Sequence, residues 1–344
     1  MTGFGRLAAS LLSAAGLLLM AAGGGAEQAL MRWSAASDGV RMKNVILLAD
    51  SAAAPAAAPP RQEPVLHVLS QAVQPEIEVP AETPAAYEPA PETVLETTIE
   101  GGLRIKNETG YWVDAPAILA EGPGLTLPRD EAQILIIHTH ASEAYTQAGL
   151  DRYIPSDLNR TEDTQFNIVR IGDELTELLT QAGLGVIHDR GIYDYPSYTG
   201  SYTRSGQAVE EYLANCPSLR IVLDIHRDAL GSDGVVYKTM AEEEGTVASQ
   251  IMLLVGTDAS GLEHPAWREN LALALYLQNA VNTACPTLMR PISLVPQRYN
   301  QQLCPGSLII EVGSSGNTLR EALSAIRLFG GAVGPALAEL IEEE

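Results

Sequence analysis

Apolar stretches alternate with amphipathic stretches along the last two thirds of the chain. Ile134–Ile137 (ILII) is a continuous apolar run, which is typical of a strand covered on both faces. Ile168, Ile171 and Leu175 recur at helical spacing, which predicts an amphipathic helix that stops at Gly183. Further strands are predicted over GVIHD, LRIVLDIH, SQIMLLVG, ISLVP and SLIIEVG. Further helices are predicted over SGQAVEEYLANCP, beginning at its serine, over HPAWRENLALALYLQNAVNTACP, and over NTLREALSAIRLFGGAVGPALAELIEEE.

This alternation of strands and helices predicts the fold class. It indicates an α/β fold with a mostly parallel or mixed sheet and helices on both faces. Upstream of it, TIEGGLRIKNETGYWVD mixes β-branched, aromatic and turn residues, as a short edge structure does. We therefore expect one folded domain over residues 97–344.

The first hundred residues have a different pattern. Arg6 precedes an apolar run of small residues over 7–24, whose length is marginal between a signal-peptide core and a membrane helix. We favour an uncleaved single-pass anchor within residues 1–30, and cleavage as a signal peptide stays open. Either way, the rest of the chain would be exported. Residues 31–96 are rich in Ala, Pro and Glu, which predicts a semi-rigid extracytoplasmic stalk.

Composition and charge narrow the range of partners. The 344 residues are 46% hydrophobic, and 43 acidic residues oppose 21 basic ones, for a formal charge of −22. Such a balance argues against nucleic acid as a partner, because phosphate binding needs clustered Lys and Arg. The three cysteines do not form a disulfide framework, and we expect them to be packed or singly paired.

Polar residues follow the apolar part of three predicted strands. ILII runs into His138 and His140, IVLD into His226, and SLII into Glu311. Ligands bind at the carboxyl ends of strands in open α/β sheets. We therefore expect these side chains to meet at one edge of the sheet.

Zinc chemistry accounts for this set of residues. A catalytic Zn²⁺ takes three nitrogen or oxygen ligands from the protein and keeps one position for water. His140 and Glu143 are spaced H-x-x-E and point to the same side of a turn, and His226 would be the third ligand. Glu311 is the candidate proton shuttle. His138 is a rival ligand, because His-x-His on an extended strand also shares a face, and it would otherwise contact substrate or a ligand.

Charged residues beside His226 have two interpretations. Asp224 and Asp228 are candidates to orient His226 or the metal-bound water, since metal-bound histidines usually donate their second N–H to an acceptor. Asp224 could equally be a turn residue at the end of its strand. Arg227 would stabilise a developing oxyanion or bind a substrate carboxylate. An ordinary ion pair between Arg227 and Asp224 or Asp228 stays open as the alternative.

Five segments together resemble the stage II sporulation protein P family. They are IKNETGYWVD, ILIIHTHASEAY, YDYPSYTGSYTRSG, IVLDIHRDA and PQRYNQQLCPGSLIIEVGSSGNTLREA. The resemblance implies a fold similar to zinc-dependent N-acetylmuramoyl-L-alanine amidases and cleavage of the amide between MurNAc and L-Ala in peptidoglycan. It also implies endopeptidase activity on cross-links, a membrane anchor, a role in engulfment during sporulation, and the stage II sporulation D lytic transglycosylase as partner.

The resemblance also assigns residues to roles. His140 (or His138), Glu143 and His226 correspond to the family's metal positions, and Glu311 to its catalytic glutamate. The same motifs contain three residues that the resemblance implies as contacts to glycan or peptide: Arg227, Arg298 and Asn300.

Two other functions are compatible with the sequence. A zinc carboxypeptidase-like peptidase also uses H-x-x-E, a distant His and a late Glu, and would need a cation for the substrate's C-terminus. A non-catalytic cell-wall-binding module would fit an anchor and a stalk. Glu311 separates this last alternative from an enzyme, because binding requires no proton shuttle.

Overall fold

The computed structural model describes residues 47–49, 88–89, 102–232 and 235–343. These residues belong to one compact unit that comprises residues 43–51 and 85–344. The predicted anchor lies outside the described residues, and so does the predicted stalk apart from two short strands. In the described part of the chain, no helix is both long and apolar enough to span a bilayer.

Strands and helices alternate from residue 102 onward, apart from a run of six strands between residues 221 and 256. In chain order, the strands are β1 (Leu47–Ala49), β2 (Glu88–Pro89), β3 (Ile105–Asn107), β4 (Ile134–Ile137), β5 (Val186–Asp189), β6 (Ile221–Asp228), β7 (Gly231–Ser232), β8 (Val235–Lys238), β9 (Ala241–Glu243), β10 (Thr246–Ala248), β11 (Ile251–Gly256), β12 (Ile292–Val295) and β13 (Ser307–Ser314). The helices are α1 (Ala115–Glu121), α2 (Ile168–Gln181), α3 (Ser201–Asn215), α4 (Trp267–Ala284) and α5 (Leu319–Ala338), and a 3-10 turn spans Gln301–Leu303. The six strands and the helices predicted from periodicity are therefore present.

Within the described residues, the main sheet has eight strands in the order β1-β5-β4-β6-β13-β11-β12-β3. Neighbouring strands run parallel except β11 and β13, which are antiparallel. The sheet is therefore mixed and mostly parallel, in agreement with the predicted mostly parallel or mixed sheet. Strand β3 is an edge strand, as expected for its segment.

Alternate residues of β4 face two different cores. Ile134 and Ile136 join the larger core, which includes residues of α2, α4 and α5. Leu135 and Ile137 join a smaller core with Val209 of α3. Helices thus cover both faces of the sheet, which confirms the predicted fold class and explains why ILII contains no polar position.

Local signals set the ends of most helices. The Asn167 side chain accepts from Val169 N at the start of α2, and Thr318 and Glu321 form a capping box at the start of α5. Helix α3 begins at Ser201, four residues before the predicted start at Ser205. No side chain caps this helix, so the preference for serine at helix starts predicted the wrong position.

Two features differ from the sequence expectations or add to them. The antiparallel pairs β7–β8 and β9–β10 follow β6 and were not predicted. The cysteines are free thiols, with Cys285 and Cys304 buried and Cys216 partly buried. The expectation of packed cysteines is therefore met.

Candidate metal centre

The three strands that end in polar residues are neighbours in the sheet. β6 lies between β4 and β13 and is parallel to both. Glu311 of β13 is paired in register with His226 of β6, and the next pair is Ser314 with Asp228. One extra residue therefore lies in β13 between these pairs, a bulge at which Gly313 has a φ of 65°.

His140, Glu143 and His226 come together at this edge. The chain turns after β4, where Glu143 N donates to His140 O at 3.0 Å, and this turn brings both side chains toward β6. The ring centroids of His140 and His226 are 5.2 Å apart. His226 Nδ1 lies 3.6 Å from Glu143 Oε2. All three side chains are buried.

The charges of this group depend strongly on one another. Burial alone would raise the pKa of Glu143, but the nearby His226 and the charge of Arg227 outweigh it and lower that pKa to about 2. Burial and the nearby His226 lower the pKa of His140 to about 4. Burial also opposes the charge on His226, but the carboxylates of Asp224 and Glu143 raise the pKa of His226 well above its ordinary value.

Asp224 lies directly behind His226. Its Oδ1 is 2.9 Å from His226 Nε2, and the same carboxylate accepts from Thr139 N at 2.8 Å and from Thr139 Oγ1 at 2.6 Å. Asp224 therefore links His226 to the turn that carries His140. Asp224 is thus placed where it could orient His226, and that role stays a prediction. Asp228 pairs with Arg290 instead.

Whether these residues fit a metal ion can be judged from their buried polar atoms that have no hydrogen-bond partner. In the described residues, no group of three or more His, Cys, Asp or Glu is placed so that it could hold a metal ion without rearrangement. However, the candidate ligands His140 and His226 each have a buried nitrogen without a hydrogen bond, His140 Nδ1 and His226 Nε2, and Glu311 has such an oxygen, Oε2. Glu143, the third candidate ligand, accepts from Arg227 N at 3.1 Å and from Arg160 Nη2 at 3.3 Å. Buried unpaired atoms of this kind call for an ion or water as partner. Two imidazoles and a carboxylate also match the donors that zinc takes, so the residues fit the ion.

Glu311 has the environment of a proton shuttle. It is in register with His226, and burial raises its pKa to about 8 against the lowering effect of the His226 charge. The carboxylates of Asp228 and Glu143 raise it further. A carboxyl group that holds its proton near neutral pH is suited to general acid–base chemistry.

His138 lies away from this group. Its Nε2 is 2.8 Å from His188 Nε2, and its Nδ1 is 3.1 Å from Ile225 O. A Cβ atom on Gly172 of α2 would come within 2.5 Å of His138 Nε2 and 2.6 Å of His188 Nε2, so the glycine makes room for the pair. His188 Nδ1 is 3.3 Å from Asp173 Oδ1. Both His138 nitrogens are engaged beneath α2, and the geometry therefore favours His140 over its rival.

Arg227 makes its side-chain hydrogen bonds within the protein. Its side chain is buried, with Nε donating to Ala144 O at 2.6 Å and Nη2 to Asn159 O at 2.9 Å. The alternative of an ion pair between Arg227 and Asp224 or Asp228 is not found in the described residues, where both carboxylates have other partners. The loop after the His140 turn folds over this guanidinium, and contact with substrate stays a prediction.

The other three candidates contact the protein itself. Asp228 pairs with Arg290 at 2.7 Å, and Arg298 Nη1 donates to Glu263 O at 2.9 Å. Asn300 Nδ2 donates to Tyr202 O at 2.7 Å, so it supports the start of α3 beside the centre.

Four further residues at the centre were missed. Arg160 Nη2 is 3.3 Å from Glu143 Oε1 and Arg160 Nη1 is 2.7 Å from Asp194 Oδ2. The Tyr198 ring stacks on His140 with centroids 4.5 Å apart, and the Tyr202 ring lies edge-on to it at 5.4 Å. Both tyrosines belong to the aromatic segment YDYPSYTGSYTRSG. That segment was the available signal, but its composition alone does not indicate which ring meets which ligand.

Comparison with known proteins gives related sequences and folds. The sequence model of stage II sporulation protein P (SpoIIP) matches residues 70–333. Stage II sporulation protein P of Bacillus subtilis (strain 168) is 24% identical over 207 residues, which cover 56% of this chain and 48% of that protein. The match thus spans about half the length of that relative.

Two solved structures are also similar. N-acetylmuramoyl-L-alanine amidase AmiC2 of Nostoc punctiforme has a TM-score of 0.34 and 13% identity, over 60% of this chain and 94% of the amidase. The apo form of the N-acetylmuramyl-L-alanine amidase Ami1 from Mycobacterium abscessus has a TM-score of 0.36 and 12% identity, over 61% and 99%.

The matched range 70–333 covers well over half of the chain and contains the strands, turn and aromatic segment described above. The resemblance found in the sequence motifs is therefore confirmed. The chain belongs to the stage II sporulation protein P family.

Proposed function

We propose that this protein is a zinc-dependent peptidoglycan hydrolase that acts in sporulation and cleaves the amide between MurNAc and L-Ala. The observation that carries the proposal is the meeting of His140, Glu143 and His226 beside Glu311, which is held in register with His226. Membership of the stage II sporulation protein P family supports the substrate and the cellular process. Cleavage of peptide cross-links is a second activity that we propose on the same family basis.

The residues divide the chemistry between them. His140, Glu143 and His226 would hold the zinc ion, which when bound supplies Lewis acidity to the site. Glu311 takes a proton from the attacking water and delivers it to the nitrogen of the leaving amine. Its partly enclosed position raises its pKa to about 8, and the charge of a bound cation would lower that pKa toward neutrality, where a group both takes and gives protons. Asp224 keeps the His226 ring in place.

The peptidase alternative gains nothing from the structure. A carboxypeptidase-like enzyme needs a free cation for the substrate's C-terminus, and Arg227 and Arg298 were the candidates. Both guanidinium groups donate to backbone carbonyls, those of Ala144, Asn159 and Glu263. This observation weighs against the alternative.

The cellular setting is part of the proposal. We propose that residues 1–30 anchor the protein in the cell membrane and that the folded domain acts outside the cytoplasm on peptidoglycan. The stage II sporulation D lytic transglycosylase is the proposed partner. The acidic composition argues against nucleic acid.

A digest of purified sacculi tests the activity. The full-length protein loaded with zinc should release intact stem peptides and leave unsubstituted MurNAc, as measured by mass spectrometry of the muropeptides. Glu311→Gln should keep zinc but lose turnover by several orders of magnitude, because the amide cannot accept the proton. Glu210→Gln on the exposed face of α3 is the matched control and should behave as wild type.

Each wrong outcome points to a different alternative. Near-normal turnover in Glu311→Gln would contradict the mechanism. Release of single C-terminal residues would indicate the peptidase. Retention on sacculi without any released product would indicate the non-catalytic binding module.

A further inference from the structure

His140 differs from His226 in what orients its imidazole ring. His226 has a carboxylate near each nitrogen, with Glu143 Oε2 at 3.6 Å and Asp224 Oδ1 at 2.9 Å. The contact at Nε2 is not an aligned hydrogen bond, but both contacts place a carboxylate beside the His226 ring. Among the described residues, the His140 ring has no hydrogen bond and no ion pair at either nitrogen, and its Nδ1 is buried. Metal-bound histidines usually have their second nitrogen bonded to an acceptor, which fixes the ring. Something else must therefore hold His140.

Aromatic rings surround His140 instead. The Tyr198 ring lies parallel to the imidazole, with centroids 4.5 Å apart and an interplanar angle of 12°. Tyr202 and His226 meet it edge-on, at 5.4 Å and 5.2 Å and both at 86°. The ring nitrogens donate and coordinate within the ring plane, so a ring stacked on the face leaves them accessible.

Tyr198 is itself held although its side chain is 59% exposed. The Arg160 guanidinium carbon lies 5.1 Å from the Tyr198 ring centroid, a cation–π contact. Arg160 is fixed by Asp194 at 2.7 Å and also contacts Glu143 at 3.3 Å. One arginine thus links the ring beside His140 to the second candidate ligand.

The backbone that carries Tyr198 is fixed from α3. Arg204 Nε donates to Tyr193 O at 2.7 Å and Arg204 Nη1 to Thr199 O at 3.2 Å. Arg204 Nη2 also donates to Ser197 O. These bonds fix the backbone before and after Tyr198. The position of the Tyr198 ring is therefore set by its backbone as well as by the contacts of the exposed ring itself.

We propose that Tyr198 is a positioning residue that sets the plane of the His140 imidazole for metal binding, in place of the usual hydrogen-bond acceptor. The inference rests on the proposed zinc-dependent function and adds a residue to it. A ring that is ordered before the ion arrives loses less conformational freedom on binding, which increases affinity. Because Arg160 contacts both Tyr198 and Glu143, the arrangement orders two candidate ligands together.

Zinc affinity of full-length variants tests this role. Zinc is titrated against a chromophoric chelator for wild type, Tyr198→Ala, Tyr198→Phe and the control Trp112→Ala, which removes a ring that is 77% exposed. Tyr198→Ala should bind zinc about tenfold more weakly, the lower end of the range for residues that orient metal ligands. Tyr198→Phe keeps the stacked ring and should stay within about twofold of wild type, by the same measure of orientation. Trp112→Ala should match wild type.

A second measurement reads the stacking without metal. In the metal-free protein, the ring current of Tyr198 should shift the His140 imidazole protons upfield in NMR spectra. Tyr198→Ala should remove that shift, whereas Tyr198→Phe and Trp112→Ala should keep it. Thermal unfolding of each variant checks that it is folded, and Tyr198→Phe keeps the test decisive if the alanine variant is not.

Different results overturn different statements. Wild-type zinc affinity in Tyr198→Ala would overturn the positioning role, and so would an equal loss in Tyr198→Phe, which would assign the effect to the hydroxyl group. Faster turnover of Tyr198→Ala at unchanged zinc affinity would also overturn it, because Tyr198 would then cover the site. If wild type binds no zinc while the ring-current shift is present, the proposed function fails and the metal role of Tyr198 fails with it.

Discussion

Arg227→Met removes a guanidinium group that lies between β6 and the loop following the His140 turn. The Arg227 side chain is 6% exposed, and its two shorter hydrogen bonds go to Ala144 O at 2.6 Å and Asn159 O at 2.9 Å. Methionine has a similar length and no donor, so both carbonyls lose this partner. A hydrogen bond to a charged group contributes about 1.5–3 kcal/mol, and the free energy of unfolding should therefore fall by about 3–6 kcal/mol.

Arg298→Met is the matched control for this prediction. Both arginines were expected to contact substrate, but Arg298 makes one hydrogen bond, to Glu263 O at 2.9 Å, at a more exposed position. The free energy of unfolding should fall by less than about 1 kcal/mol in this variant. A domain of this size changes its Tm by about 2–4 °C per kcal/mol, so Arg227→Met should lower the Tm by about 6–24 °C.

Urea denaturation of the metal-free variants, followed by circular dichroism, measures the two effects. Hydrolysis of sacculi at a temperature where both variants are folded completes the comparison. An unchanged urea midpoint in Arg227→Met together with lost hydrolysis would refute the structural role and restore Arg227 as a substrate contact.

Two further predictions concern histidines. His140→Ala should lose bound zinc, whereas His138→Gln should keep it, because the ring of His138 is engaged beneath α2. Elemental analysis of each variant after dialysis measures its zinc content. Equal zinc contents in the two variants would contradict the assignment of His140 as the ligand. Burial lowers the pKa of His264 to about 4, so the unfolded chain binds the proton first as the pH falls below about 6.5. The neutral, buried His264 therefore contributes its full stabilisation above about pH 6.5, and this stabilisation is lost progressively between about pH 6.5 and pH 4. The free energy of unfolding should be lower by about 2 kcal/mol at pH 5 for this reason. His264→Gln should therefore show a smaller loss of urea midpoint between pH 7 and 5, and an unchanged slope would count against the buried neutral state.

The sequence was sufficient where apolar runs and strand ends carried the signal. His140, His226 and Glu311 were predictable because a covered strand admits few polar residues, and those that occur at its carboxyl end collect at one edge. Glu143 followed from the H-x-x-E spacing on a turn. The α/β fold followed from the same periodicities.

Other parts depend on contacts that spacing does not encode. His138 and His140 would share a face on an extended strand, but β4 ends at Ile137 and the chain turns, so His138 packs beneath α2. Arg227 acquires its role only because a distant part of the loop, Asn159, folds onto it. Helix α3 begins earlier than predicted because Gly200, directly before it, has a left-handed backbone conformation. The preference for serine at helix starts does not take this conformation into account.

The register of β13 against β6 has a consequence for recombining this domain with its relatives. Glu311 faces His226 only in one alignment, since a shift of one residue turns a strand side chain to the opposite face. A single-residue deletion upstream of Glu311 within β13 would therefore turn Glu311 away from His226 and abolish the centre. The bulge at Gly313 should instead absorb insertions or deletions that lie after it, so that these leave the pairing of Glu311 with His226 unchanged. Crossover points for chimaeric proteins belong outside Ser307–Ser314, and β4, β6 and β13 should be exchanged as one block.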